Sequence, residues 1–232
     1  LLMSLNSDTP VEAGLGQNGD LGYAAFSAKG NAFYRVIAKR ALDIGLVLAA
    51  SLPILLVIGG LALIVMLQGG RPFYVQERVG YGGRIYKMWK LRTMVPHADE
   101  VLDTHLAADP LARAEWDLSQ KLKDDPRITR FGRFLRKSSL DELPQLWNVL
   151  TGDMSLVGPR PMMPEQKILY PGQAYYRLRP GITGPWQVSD RHQSAFSDRA
   201  RFDTQYERDL SLGHDLGLLM ATVRVVLRGT GC

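Results

Sequence analysis

An uncharged run from Ile44 to Leu67 constrains this chain more than any other feature. At 1.5 Å rise per residue, roughly 20 apolar residues cross the hydrocarbon of a bilayer. A run of this length in a chain of 232 residues therefore predicts a membrane segment rather than a buried core helix. Pro53 lies within it, lacking an N–H and clashing with the preceding turn, which predicts a kink or break. The Ser51 hydroxyl is close enough in sequence to satisfy a freed carbonyl. Basic residues flank both ends, with Lys29, Arg35, Lys39 and Arg40 before and Arg71, Arg78, Arg84 and Lys87 after. A spanning helix carries its basic excess on one side. Balanced flanks around a central proline favour a hairpin-like re-entrant helix with both ends cytoplasmic, and a span remains the alternative.

The length suits one functional domain with some extra elements. The net charge of +5 points to anionic partners: nucleic acid, anionic lipid headgroups or phosphorylated substrates. The single cysteine, Cys232, excludes an internal disulfide and a cysteine zinc site, which fits a reducing, cytoplasmic setting. His97, His105, His192 and His214 lack zinc-site spacing. Residues 1–32 are expected to be a flexible leader, 33–70 the membrane segment, and 71–232 the cytoplasmic domain.

From Pro72 to Met94 the sequence is rich in Tyr, Val, Ile and Phe and is interrupted by Gly80, Gly82 and Gly83, which predicts a β-hairpin. Residues 97–120 predict an amphipathic helix broken near Pro110. Between Lys121 and Lys137 seven basic residues face two acids, and Arg127, Arg130, Arg133 and Arg136 recur at three-residue steps. That spacing predicts a basic amphipathic helix lying on an anionic membrane, or else an ordinary solvated face. Leu212 to Leu227 reads as another interfacial helix. The fold class is thus mainly α with a small β-hairpin, in a monotopic membrane protein with amphipathic interfacial helices.

Chemistry concentrates in Arg136-Lys-Ser-Ser-Leu-Asp-Glu-Leu-Pro-Gln-Leu146 and the following Gly158-Pro-Arg-Pro161. One reading makes Ser139 and Glu142 a capping box. It places Pro144 inside the helix beyond its first turn, where it is costly. The other puts Pro144 at the helix start and leaves Asp141 and Glu142 just upstream, in a place that favours phosphate. Of two adjacent carboxylates, one can attack phosphorus while the other holds Mg²⁺. Arg136 and Arg160 can offer forked donors to phosphate oxygens. No Walker sequence, dinucleotide fingerprint or serine-nucleophile elbow is present.

Five ordered motifs resemble the monotopic bacterial sugar transferases, the polyprenyl-phosphate hexose-1-phosphate transferases. They are Lys39-Arg40-x-x-Asp43 leading to Ser51 and Pro53, Lys90-x-Arg92-Thr93-Met94, Asp141-Glu142-Leu-Pro-Gln-Leu146, Gly158-Pro-Arg-Pro161, and Arg179-Pro-Gly-Ile-Thr-Gly184. The resemblance covers about residues 33–228. It implies a re-entrant helix broken at Ser51 and Pro53, Asp141 as nucleophile, and Glu142 as catalytic partner and Mg²⁺ ligand. It also implies phosphate contacts from Arg136 and Arg160, substrate contacts from Lys90 and Arg92, and a nucleotide- and sugar-proximal loop with Gln187 and Arg191. The implied reaction moves hexose 1-phosphate from a UDP-hexose to polyprenol phosphate, releasing UMP, at the cytoplasmic face of the bacterial inner membrane. It would initiate exopolysaccharide assembly. Gly184-Pro-Trp-Gln187 stands where many relatives have Gly-Trp-Ala-Gln, a hint of galactose or glucose. Relatives often carry further N-terminal membrane helices, and the chain is expected to be the short catalytic form.

An N-acetylhexosamine donor and a non-catalytic membrane scaffold are the competing readings. A nucleic-acid partner is not expected, because no recognised module surrounds the basic stretch. A homo-oligomer is left open.

Overall fold

In a computed structural model, the description covers residues 33–119, 122–189 and 196–227. The expected leader lies outside these residues. The apolar run forms α1 (Lys39–Leu67), entered through a π-helical turn over Tyr34–Ala38. Helical hydrogen bonding continues through Pro53, so the expected break does not divide α1 into two helices. The Ser51 hydroxyl donates to the carbonyl of Leu48 at 2.8 Å. By length and composition the helix is able to cross a membrane, and Leu52, Leu55, Leu56, Leu63 and Leu67 all point outward. A stripe at Asp43, Val47, Ala62 and Val65 is buried instead.

Both ends of α1 are held by one body. Near the start, Arg40 donates to the carbonyls of Val149 and Leu150, and Asp43 accepts from the Ser155 hydroxyl and the Leu156 N–H. Near the end, Ala62 and Val65 pack with Leu91 and Leu135, and Arg92 donates to the carbonyls of Val65 and Gly69. Val65 lies in the last turn, where its carbonyl also accepts from the Gln68 N–H, and Gly69 lies just past the helix end, where carbonyls lack a full set of intrahelical donors. Arg92 therefore acts as a cap on α1.

The expected hairpin is present as β1 (Phe73–Val79) and β2 (Ile85–Leu91), antiparallel, with Phe73 opposite Leu91 and Val79 opposite Ile85. Its turn uses Gly82 and Gly83 at φ 65° and 79°, where a side chain would be strained. The amphipathic stretch divides where expected, into α2 (Ala98–Ala108) and α3 (Pro110–Ser119). Pro110 suits a first helical position.

The basic helix is shorter than expected. It forms α4 (Arg130–Lys137), begun by the Thr129 hydroxyl accepting from the Gly132 N–H at 2.8 Å. Arg127 is outside it and buried, forked onto Asp125 with Nε–Oδ1 at 2.9 Å and Nη2–Oδ2 at 2.7 Å. Arg136 is partly buried, leaving Arg130 and Arg133 as the outward pair among the four arginines.

After α4, a 3₁₀ turn over Leu140–Glu142 leads to α5 (Gln145–Thr151). The capping box is not formed, since Ser139 stands at φ 56° and its side chain caps nothing. Asn148 on α5 clamps β2, accepting from the Trp89 N–H and donating to the Lys87 carbonyl. A parallel pair that the sequence reading did not foresee follows, β3 (Ser155–Val157) beside β4 (Gly181–Thr183). Gly158, Gly181 and Gly184 cross so closely that a Cβ on any of them would overlap neighbouring backbone. The chain continues through α6 (Pro185–Val188), α7 (Arg199–Arg208) and α8 (Leu212–Leu227). Leu218 of α8 packs inward with Tyr34, Val157 and Tyr206, while Leu212, Leu216, Met220 and Val223 stay exposed. These four residues form an outward apolar stripe along α8.

Candidate active site

The acid pair sits where strand β2 meets the turn before α5. Pro144 caps α5, so Asp141 and Glu142 lie just upstream of the helix, as the second reading of the sequence expects. With seven residues α5 is only about two turns long, and the charge available to a diphosphate comes mainly from side-chain cations. The end of β2 and the two residues after it send three side chains to different places. Lys90 Nζ bonds Glu142 Oε1 at 2.7 Å, Thr93 Oγ1 accepts from Arg136 Nε at 2.9 Å, and Arg92 reaches α1. Thus Lys90 and Arg136 join the acid pair, whereas Arg92 is committed to α1.

The two carboxyls are driven apart. Asp141 is 8 % exposed, and burial raises its pKa; Lys90 and Arg136 lower it and Glu142 raises it, leaving it at about 6. Burial also pushes Glu142 up, but the Lys90 charge and hydrogen bond, with Arg160 and Arg78, outweigh that and hold it below its ordinary value. Neighbouring acids whose environments separate them in this way take different roles.

Arg160 is fixed by the glycine crossing, with Gly158 N–H bonded to the Thr183 carbonyl and Gly181 N–H to the Pro159 carbonyl, both at 2.8 Å. Its guanidinium lies 5.5 Å from the centre of the Trp186 ring. Two further arginines that sequence reasoning missed stand beside it. Arg199 packs on Trp186 at 4.3 Å and on Phe196 at 4.5 Å, and burial, with Arg160 and Arg78 nearby, lowers its pKa to about 10. Arg78 donates to Gln76 and the Pro161 carbonyl, and burial lowers its pKa too. The Nε atoms of Arg78 and Arg199 have no hydrogen-bond partner among the described residues. Buried cations so incompletely matched by acids form a receptor for an anion. The alternation along β1 was the available signal for Arg78; nothing local marked Arg199.

Gln187 is buried beside this cluster, its amide nitrogen and oxygen both unpartnered among the described residues. Arg191 lies outside the described residues. Ser51 and Pro53 are on the outward part of α1, remote in sequence and packing from the acid pair.

A cation can be accommodated. No cluster of three or more Asp, Glu, His or Cys occurs among the described residues, so a metal would not find an all-protein cage. Lys90 engages Glu142 Oε1, and no described residue bonds Oε2. Mg²⁺ is ordinarily held beside phosphates by one or two carboxylates, with water and substrate supplying the rest. The donor set fits that mode.

A chain with one helix able to cross a membrane and a split acid pair beside an arginine cluster has the chemistry of phosphoryl-group transfer. The sequence matches the bacterial sugar transferases over residues 34–229, and the chain belongs to that family. It is 49% identical over 197 residues to the UDP-galactose-lipid carrier transferase of Erwinia amylovora, covering 83% of this chain and 41% of that protein. It is 50% identical over 165 residues to the undecaprenyl-phosphate galactose phosphotransferase of Salmonella typhimurium, covering 70% and 35%. The exopolysaccharide production protein ExoY of Rhizobium meliloti is 43% identical over 203 residues, covering 84% and 88%. The chain thus spans about two fifths or less of the first two relatives and most of the third.

Proposed function

We propose that this chain transfers hexose 1-phosphate from UDP-galactose or UDP-glucose to polyprenol phosphate in two displacements, initiating exopolysaccharide assembly. The split acid pair carries the reading, and the names of the similar proteins support a galactosyl donor. In the first step an Asp141 carboxylate oxygen forms a bond to the sugar-linked phosphorus. The bond from that phosphorus to the bridging oxygen breaks, and the electron pair leaves with UMP. In the second, a phosphate oxygen of the lipid attacks the same phosphorus and restores the Asp141 carboxylate, giving a polyprenyl diphosphate sugar. Lys90 holds Glu142 in place and, with Arg136, favours the ionised form of Asp141. Arg160, with Arg78 and Arg199 around it, orients phosphate oxygens and stabilises charge as it moves to the leaving group. Mg²⁺, held through Glu142, would supply further charge neutralisation on the diphosphate.

The nucleophile must be ionised. With a pKa of about 6, Asp141 is roughly nine-tenths carboxylate at pH 7, and the first step should fall about tenfold per pH unit below 6. Measuring UMP released from UDP-galactose, UDP-glucose and UDP-N-acetylhexosamines across pH 4.5–8 tests both donor and nucleophile. Silence with every donor would remove the reaction, and a rate flat down to pH 4.5 would remove this nucleophile.

The same reading makes α1 re-entrant and places the body on the cytoplasmic face of the inner membrane. A straight helix of 29 residues would be about 43 Å long, enough to deliver its ends to opposite faces of the bilayer. Arg40 and Asp43 at one end and Arg92 at the other instead tie α1 to one body. A thiol probe introduced at Phe33 should resist a membrane-impermeant reagent in spheroplasts until they are lysed. Labelling before lysis would contradict the topology.

A further inference from the structure

A cavity of about 270 Å³ lies beside the acid pair, touching Glu142 and Arg160 but otherwise lined by residues to which the first displacement gives no role. One end is polar, with Glu142, Arg160 and the unpartnered amide of Gln187. The rest is mostly aliphatic, with Leu143 and Leu146, Ile182 of β4, and Val225 and Val226 of α8; of the hydroxyls that also line it, those of Thr183 and Thr222 bond each other and that of Ser138 bonds helix carbonyls. Val226 is 40 % exposed, so this wall continues into the outward apolar stripe of α8 at Met220 and Val223.

A hexose or ribose would leave hydroxyls unpaired against such walls, at a cost of about 1–3 kcal/mol each. An amphiphile with an anionic head and a hydrocarbon tail matches both ends. At ~30 Å³ per water-sized group, the cavity admits roughly nine carbon-sized groups, close to two five-carbon units. A longer chain would leave along α8 towards lipid.

We propose that this cavity holds the first isoprenoid units of the polyprenyl phosphate acceptor, with its phosphate at Arg160 and Gln187 and its tail leaving past Val226. The proposal rests on the two-step reading above, and it makes α8 part of the acceptor site. It also gives α8 a reason to line a cavity shared with the catalytic turn: the lipid would enter sideways from the bilayer and reach Asp141 without its tail crossing water.

The test uses the full chain in nanodiscs, comparing wild type with Val226→Trp, which fills the tail exit, and Val226→Ala, which widens it. Val226→Trp should raise the KM for a short polyprenyl phosphate by about tenfold or more while the UMP burst from the sugar donor stays within about twofold. Val226→Ala should change either by less than about threefold. Unchanged lipid KM in Val226→Trp would overturn the assignment, as would a burst reduced as much as lipid turnover, which would give the cavity to the donor. Geranylgeranyl phosphate should also raise the melting temperature of wild type and of Val226→Ala, but not that of Val226→Trp. Equal stabilisation of all three overturns the site. This binding readout stands even where wild type releases no UMP, an outcome that removes the two-step reading instead.

Discussion

Replacing Asp141 with Asn should lower sugar-phosphate transfer by roughly 10³-fold or more while raising the melting temperature. The loss follows because an amide of the same shape cannot attack phosphorus, and no other described carboxylate shares the place of Asp141. The gain follows from burial. Asp141 is 8 % exposed, and its pKa rises from 3.8 to about 6 on folding, so the folded chain holds this proton more tightly than the unfolded one. Stability therefore falls as pH rises from about 4 to 6 and levels off above, where the carboxylate costs on the order of 3 kcal/mol. Asn carries no such cost. The stabilisation should be fully present above pH 6 and vanish near pH 4, read by thermal unfolding in detergent at both pH values. An equal shift at both would show that burial of charge is not its cause.

The second large effect lies at Asp215, on the inner face of α8. Its Oδ2 accepts from Tyr34 OH and Lys39 Nζ, both at 2.6 Å, and its Oδ1 from Tyr206 OH at 2.7 Å. One carboxylate, 1 % exposed, therefore joins the entry to α1 with α7 and α8. Asp215→Ala would leave the Lys39 ammonium without its bonded carboxylate and the buried Tyr34 hydroxyl without an acceptor, while the Tyr206 hydroxyl keeps only the Val157 carbonyl. Removing one partner of a buried ion pair typically costs about 3–5 kcal/mol. Hydrogen exchange should quicken together over residues 34–43 and 212–227, with β1 and β2 less affected. A loss below about 1 kcal/mol, or exchange confined to α8, would contradict the joining role.

Some of this was legible in the sequence because it depends on local pattern. The apolar run is long enough to declare α1, the glycines punctuate the hairpin, and Pro144 could not sit inside a helix, which placed Asp141 and Glu142 before α5. Other features depend on contacts distant in sequence. The β3–β4 pair consists of two three-residue strands joined through glycine close approaches, too short for a periodic signal. The Arg127 spacing suggested a helix face, yet Asp125 two residues earlier captured it in a fork outside any helix. Arg92 belongs to the motif that brings Lys90 to the acid pair, but β2 ends beside the last turn of α1, and carbonyls at that end claim it. Arg199 joins Arg160 only because both pack on Trp186, a meeting across 39 residues of chain. Asp215 was the missed opportunity: a lone acid on the buried side of an apolar helix requires partners, and that much can be read before they are known.

The central claim is a covalent sugar phosphate on Asp141. Its most direct test is the intact mass of the solubilised chain after brief incubation with UDP-galactose and Mg²⁺ in the absence of lipid acceptor. The account predicts one added hexose phosphate, accompanied by one UMP per chain, mapped to the peptide containing Asp141, absent from Asp141→Asn and discharged by polyprenol phosphate. UMP appearing only when the lipid is present, with no adduct at any time, would instead mean direct transfer from donor to acceptor and would contradict it.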